Sequence, residues 1–187
     1  MRTAARALAA LLASAGVASA CDEGDQALFS CHVIEEGKDL DASQKGFSLC
    51  GGHPEGNLEN WTRAYYEFWT AKGTEFRYPK DPRKGRATFF TMNYSENGLY
   101  RFRTRFNSGG YKYVIYLDEA PAATEPDTIN GPSAGVEVWK GKKRVAVHDC
   151  SEAPETYFSY IFRATTCDLD NPKHELACDP GNVPELK

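Results

Sequence analysis

The chain has 187 residues, of which 41% are hydrophobic and 12% aromatic, and it carries six cysteines. That composition excludes a disordered chain, and the length suits one domain with a real core. A formal charge of −4 speaks against nucleic acid or an anionic membrane surface as a bulk partner.

Residues 1–20 show the three parts of a secretory signal peptide. Arg2 and Arg6 supply the positive start, Ala7 to Val17 is apolar and uncharged, and Ala18-Ser19-Ala20 is the small-residue pattern a signal peptidase requires. The apolar run falls short of the ~20 residues of a membrane span, so no transmembrane segment is expected. Cleavage removes two of the 22 basic residues and none of the 26 acidic ones, leaving residues 21–187 as a more acidic single domain. The expected location is periplasmic or secreted. Cys21 directly follows the cleavage pattern, which opens a lipoprotein alternative; lipidation there would leave five cysteines, one of them unpaired.

From Cys21 onward the dominant period is two, the signature of strands. The first expected strand is Ala27 to Ile34, and a short one follows at Phe47 to Cys50. Ala64 to Trp69 and Thr74 to Tyr78 come next, and Pro79, Pro82 and Gly85 then make a polar loop. Ala87 to Tyr94 is joined through Asn97-Gly98 to Leu99–Phe106, and Asn107-Ser108-Gly109-Gly110 turns the chain into Tyr111–Leu117. These three strands are expected to form an antiparallel meander. Asp118 to Ala134 reads as a long exposed loop. Val136–Trp139 and Arg144–Val147 flank Lys140-Gly141-Lys142-Lys143 as a further hairpin. Ser151 is placed to cap a short helix running to Arg163, with Glu152 and Glu155 in its first turn, and the tail from about residue 167 is expected to be irregular. Eight or more hairpin-linked strands imply a mainly β fold, an antiparallel β-sandwich or small barrel with one short C-terminal helix.

Cys21, Cys31, Cys50, Cys150, Cys167 and Cys178 allow fifteen pairings. Preference for short loops favours Cys167–Cys178 and Cys31–Cys50, which leaves Cys21–Cys150. No two cysteines show the close spacing of a zinc site, so a disulfide-stapled scaffold is expected, with no metal and no cofactor.

Three features stand out as candidate sites. On the Leu99–Phe106 strand, Arg101, Arg103 and Arg105 share one face about 7 Å apart, a ladder able to grip carboxylates or phosphates or to pair with acidic residues on neighbouring strands. At the next turn, Ser108-Gly109-Gly110-Tyr111 combines a hydroxyl, two flexible glycines and an aromatic ring, suited to insertion into a partner's cleft. The run Tyr65, Tyr66, Phe68, Trp69, Phe76 and Tyr78 is either core or a sugar-stacking platform. The histidines are scattered: His148-Asp149 is the one pair suggesting a base, and no nucleophile accompanies it. Asp168, Asp170, Asn171, His174 and Glu175 crowd the tail without the order of a calcium loop.

The Ser108-Gly109-Gly110-Tyr111 turn resembles the Ser-Gly-x-Tyr loop with which periplasmic lysozyme inhibitors plug the lysozyme active site. Ser108 and Tyr111 match that loop residue by residue, while the six cysteines do not follow the inhibitor pattern. More broadly, Leu28–Cys31, Leu99–Arg103, Gly109–Tyr116 and the segment from Gly135 to Cys150 are similar to small exported β-proteins of proteobacteria, a likeness that implies export and brings no activity with it. The expectation is a non-enzymatic binding domain, an inhibitor or immunity-type protein for a cell-wall-degrading enzyme such as lysozyme, working through Ser108, Gly109, Gly110, Tyr111, Arg101, Arg103 and Arg105. The alternatives are an extracytoplasmic hydrolase built on His148 and Asp149, and a carbohydrate-binding envelope protein.

Overall fold

The computed structural model describes residues 21–33, 45–54, 57, 60–120 and 133–170; residues 1–20, where the signal peptide is expected, residues 34–44 with the expected strand end Ile34, the centre of the 118–134 loop and the chain beyond 170 lie outside them. The alternating pattern becomes two sheets packed face to face. The first contains β1 (Gln26–Val33), β2 (Lys45–Gly52), β3 (Arg63–Thr70) and β4 (Gly73–Tyr78). The second contains β5 (Phe90–Glu96), β6 (Leu99–Ser108), β7 (Tyr111–Glu119), β8 (Ser133–Lys140) and β9 (Lys143–Asp149). Two short strands complete them: β10 (Glu155–Thr156) pairs with β1, and β11 (Thr166–Cys167) pairs with β5. The strand orders are β10-β1-β2-β3-β4 and β11-β5-β6-β7-β8-β9, antiparallel throughout except for β11 with β5. The result is a β-sandwich and no closed barrel. No helix among the described residues is long and apolar enough to cross a membrane.

Both sheets turn aromatic side chains toward each other. Phe29 of β1 meets Phe102 of β6 with ring centroids 6.5 Å apart, and Tyr66 of β3 meets Phe106 of β6 at 5.1 Å. Phe29, Phe47, Leu49, Phe102 and Phe106 are fully buried, and burying each large apolar side chain contributes about 1.5–3 kcal/mol. On β6 the expected alternation is exact in its consequence: Phe102, Thr104 and Phe106 point inward, and the arginines between them point out. Thr104 then meets its cross-strand partner Thr91 at 2.9 Å, and Thr165 donates to Thr91 at 2.8 Å, so these buried hydroxyls are satisfied.

The late helix corrects the sequence reading. It spans only Phe158–Ala164 (α1), its N-cap is Tyr157, and no acidic residue lies in its first turn. Ser151 instead donates from its hydroxyl to the His32 carbonyl, and Glu155 is in β10. Sheet pairing with β1 satisfies the backbone there before a helix can begin. Phe158, Ile161 and Ala164 are buried, with Phe158 4.8 Å from Phe102, so the helix covers the core beside β1 and β5. The expected polar loop after Pro79 contains a 3-10 helix, Pro82–Ala87, capped by the Asp81 carboxylate. The loop expected at 118–134 is shorter, because Asp118 and Glu119 continue β7 while Ser133 and Ala134 begin β8.

Two disulfides join Cys21 to Cys50 and Cys31 to Cys150. The pair Cys31–Cys50 favoured by loop length, and the pair Cys21–Cys150 that it left, are therefore wrong, and strand parity gives the reason for the first. Cys31 lies opposite Phe47, on the inner face of the first sheet, whereas Cys50 lies opposite Tyr65, on its outer face. Side chains on opposite faces of one sheet cannot bridge, however short the loop. Cys167 is also disulfide-bonded; the expected partner Cys178 lies outside the described residues.

Candidate functional site

The arginine ladder lies where the alternation put it, on the outer face of the second sheet, and its three members are occupied by carboxylates. Arg101 lies 3.6 Å from Glu96 and 3.5 Å from Asp118, and Arg103 lies 2.6 Å from Asp118 while donating to the carbonyls of Phe102 and Leu117. Arg105 holds both oxygens of Asp168 at 2.6 Å and reaches Asp170 at 2.8 Å. Its guanidinium also sits 4.7 Å from the centre of the Phe90 ring. These hydrogen bonds, those that Arg105 donates to Asp168 foremost, hold the Arg105 pKa above its ordinary value. A fork matched to a carboxylate on both prongs is already filled. The calcium reading of the tail loses Asp168 and Asp170 to the same arginine, and its remaining members lie outside the described residues. Among the described residues no group of three or more His, Cys, Asp or Glu is arranged to hold a metal ion.

The Ser108–Tyr111 turn is the exposed end of the same hairpin. Gly109 and Gly110 have φ of +59° and +81°, the two-residue turn with both positions left-handed, and Ser108 pairs with Tyr111 as the last rung of β6 and β7. The structure adds a neighbour that the sequence reading left out of the site. The β8–β9 turn, Lys140-Gly141-Lys142-Lys143, lies beside it, and a shallow depression of about 370 Å³ is lined by Asn107, Gly110, Tyr111, Lys112 and Gly141. The Lys140 ammonium stands 5.6 Å from the centre of the Tyr111 ring, and that of Lys112 stands 5.3 Å from the Trp139 ring. Lys112, Lys140, Lys142 and Lys143 are exposed and form no ion pair among the described residues. A locally basic, aromatic end thus projects from an acidic protein. The signal for it was present as three lysines around one glycine, but two turns of different hairpins become neighbours only once β7 pairs with β8.

The aromatic run divides by parity. Tyr66, Phe68, Phe76 and Tyr78 pack against the core, while Tyr65 and Trp69 face outward. The outward Tyr65 is nevertheless fully buried, because the N-terminal segment lies across it: the Asp22 amide donates to the Tyr65 hydroxyl, and Arg77 stacks on its ring at 4.6 Å. Arg77 clamps that segment, bonding both Asp22 oxygens and, from its other side, the buried Glu67; Arg63 holds Asp25. Trp69 lies over Gly46, where any added Cβ would collide with its ring. No exposed, coplanar ring platform exists at Tyr65 or Tyr66. The Cys21 sulfur, bonded to Cys50 beneath this segment, is committed to a disulfide rather than available for a lipid.

His148 and Asp149 do not converge. As consecutive residues of β9 they point to opposite faces: Asp149 accepts a hydrogen bond from the Tyr116 hydroxyl, while the His148 ring lies 5.5 Å from Phe68 on the inner side. Burial, with a smaller contribution from Lys45, lowers the His148 pKa, so the ring is neutral near pH 7. It lines a cleft of about 280 Å³ between the sheets, together with Tyr66, Phe68, Phe76, Tyr113 and Val138. No serine or cysteine nucleophile lines that cleft. Comparison with protein families, with curated proteins and with solved structures returns no match to this chain.

Proposed function

We propose that this chain is a non-enzymatic exported binding protein, active in the periplasm or outside the cell, whose lysine-rich hairpin end enters the acidic cleft of a cell-wall-degrading enzyme such as a lysozyme. Disulfides suit an oxidising, extracytoplasmic compartment, where such partners act. The observation that carries the reading is the pair of adjacent turns, Ser108–Tyr111 and Lys140–Lys143, which together with Lys112 present four lysines that no carboxylate among the described residues neutralises. Glycoside hydrolases hold two carboxyl groups across the scissile bond, and a protruding cationic turn is complementary to such a cleft in both shape and charge. Tyr111 supplies a rigid aromatic anchor and Ser108 a hydroxyl beside it, the residue types that dominate tight protein contacts. Arg101, Arg103 and Arg105, occupied by Asp118, Asp168 and Asp170, support the hairpin from behind rather than touch the partner.

The test is inhibition of cell-wall lysis by purified lysozymes of several classes. Inhibition of one class is expected, weakening as salt screens the lysines, and Ser108→Ala combined with Tyr111→Ala is expected to raise the inhibition constant about 30-fold or more. Failure of the wild-type protein to inhibit any class removes the named partner.

A further inference from the structure

We infer that the inner cleft between the β3–β4 and β7–β9 parts of the sandwich is a binding site for a small, flat aromatic molecule carrying one hydroxyl group, a compound of the phenol or naphthol class. The inference does not rest on the proposed function: the hairpin-end depression and this cleft share no lining residue.

Size sets the first limit. A dry cavity of about 150 Å³ accepts benzene, so the 280 Å³ here suits one or two fused rings and is at the small end for ligand pockets in general. The walls set the second. Phe76 and Tyr113 are stacked with centroids 5.5 Å apart and planes 16° from parallel, and Phe68 and Val138 complete an apolar lining. A sugar, which needs a hydrogen-bond partner for nearly every hydroxyl, finds only a few polar groups here. A planar hydrocarbon face finds ring faces and edges.

The polar groups set the third. Tyr66 is only 2% exposed, yet its hydroxyl has no hydrogen-bond partner among the described residues. The hydroxyl oxygen is not sealed from solvent, and on the lining of the cleft it is open to a hydrogen bond with a molecule lying there. His148, on the facing sheet, likewise has no hydrogen-bond partner among the described residues, and its uncharged ring can donate from one nitrogen or accept at the other. A donor–acceptor group on each sheet, set among apolar walls, matches a ligand with one hydroxyl that gives and takes a hydrogen bond.

Calorimetric titration of the intact, oxidised protein with 1-naphthol, naphthalene and laurate tests this. Saturable one-to-one binding of 1-naphthol is expected, tighter than that of naphthalene or laurate. Tyr66→Phe keeps the ring and removes the hydroxyl; it is expected to weaken 1-naphthol about three- to tenfold and to leave naphthalene unchanged. Val138→Trp, which fills the cleft, is expected to abolish binding of both while the far-ultraviolet circular-dichroism spectrum and the urea midpoint stay close to those of the wild type. Absence of saturable 1-naphthol binding to the wild type overturns the inference, as does a preference for laurate or an unchanged 1-naphthol affinity in Tyr66→Phe.

Discussion

The outer arginine face and the lysine-rich end are built on neighbouring stretches of one hairpin, β6–β7, and their cations meet opposite fates. Arg101 and Arg103 are held by Asp118 across the hairpin, and Arg105 by Asp168 and Asp170, the latter 65 residues away. A few rungs further along, Lys112 and its neighbours across β8 have only aromatic rings or solvent for company. The planar guanidinium fork fits a carboxylate on two prongs and loses little freedom in doing so, whereas the ammonium is a mobile, strongly hydrated point charge. The molecule therefore uses arginine to fasten chain segments and leaves lysine to face outward. The first sheet repeats the first half of that rule: Arg77 and Arg63 fasten the segment of Asp22 and Asp25 as Arg105 fastens that of Asp168 and Asp170.

The comparison breaks most readily at Asp168. Asp168→Ala leaves Arg105 half-enclosed without its main partner and is expected to lower the unfolding free energy by about 2–3 kcal/mol. Lys142→Ala with Lys143→Ala is expected to change it by less than about 0.5 kcal/mol. Urea denaturation of the two variants beside the wild type measures both, and equal effects would abolish the distinction between fastening and free cations.

A smaller effect sharpens the other side. A Cβ added at Gly109 or Gly110 meets nothing within 4 Å, so only the left-handed backbone resists it. Gly110→Ala is expected to cost about 1 kcal/mol through that strain and to disturb the Ser108–Tyr111 geometry. A loss of inhibition larger than this loss of stability would mark the turn as the contact itself.

The smallest effect is electrostatic. The Arg77 hydrogen bond holds the Asp22 carboxyl below its ordinary range. Between the lowered and the ordinary value the unfolded chain binds a proton that the folded chain refuses, so stability rises with pH there. The contribution is complete above about pH 4 and is lost as pH falls through the lowered value. Amide exchange of the 21–25 segment is expected to quicken over that acid range, and Arg77→Gln is expected to remove the pH dependence while exchange at the lysine end stays flat.

Much of the scaffold was legible beforehand because side-chain parity is a local property. The alternation of β6, the Asn97-Gly98 and Gly109-Gly110 turns and the β5–β6–β7 meander follow from neighbours in sequence, and the strand limits of β1, β3 and β4 differ from expectation by a residue or so. Burial of Tyr65 was not legible, since an outward position is covered only when the N-terminal segment folds over it. Nor was the start of α1, where a good capping residue, Ser151, lost to pairing with β1.

Amino-acid order alone determined which residues share a face, where hairpins turn and that sulfurs would be oxidised in pairs. Which sulfurs pair, which carboxylates reach the arginines, and which two turns become neighbours were decided by sheet order and register. The two disulfides and the Arg105–Asp168 pair join residues 29 to 119 positions apart, and proximity over such spans comes from how strands stack, which no local spacing encodes. The cleft has the same origin: in the sequence Tyr66 belongs to a run that is either core or sugar platform and His148 to a candidate base pair, and only the packing of one sheet on the other placed them around one space.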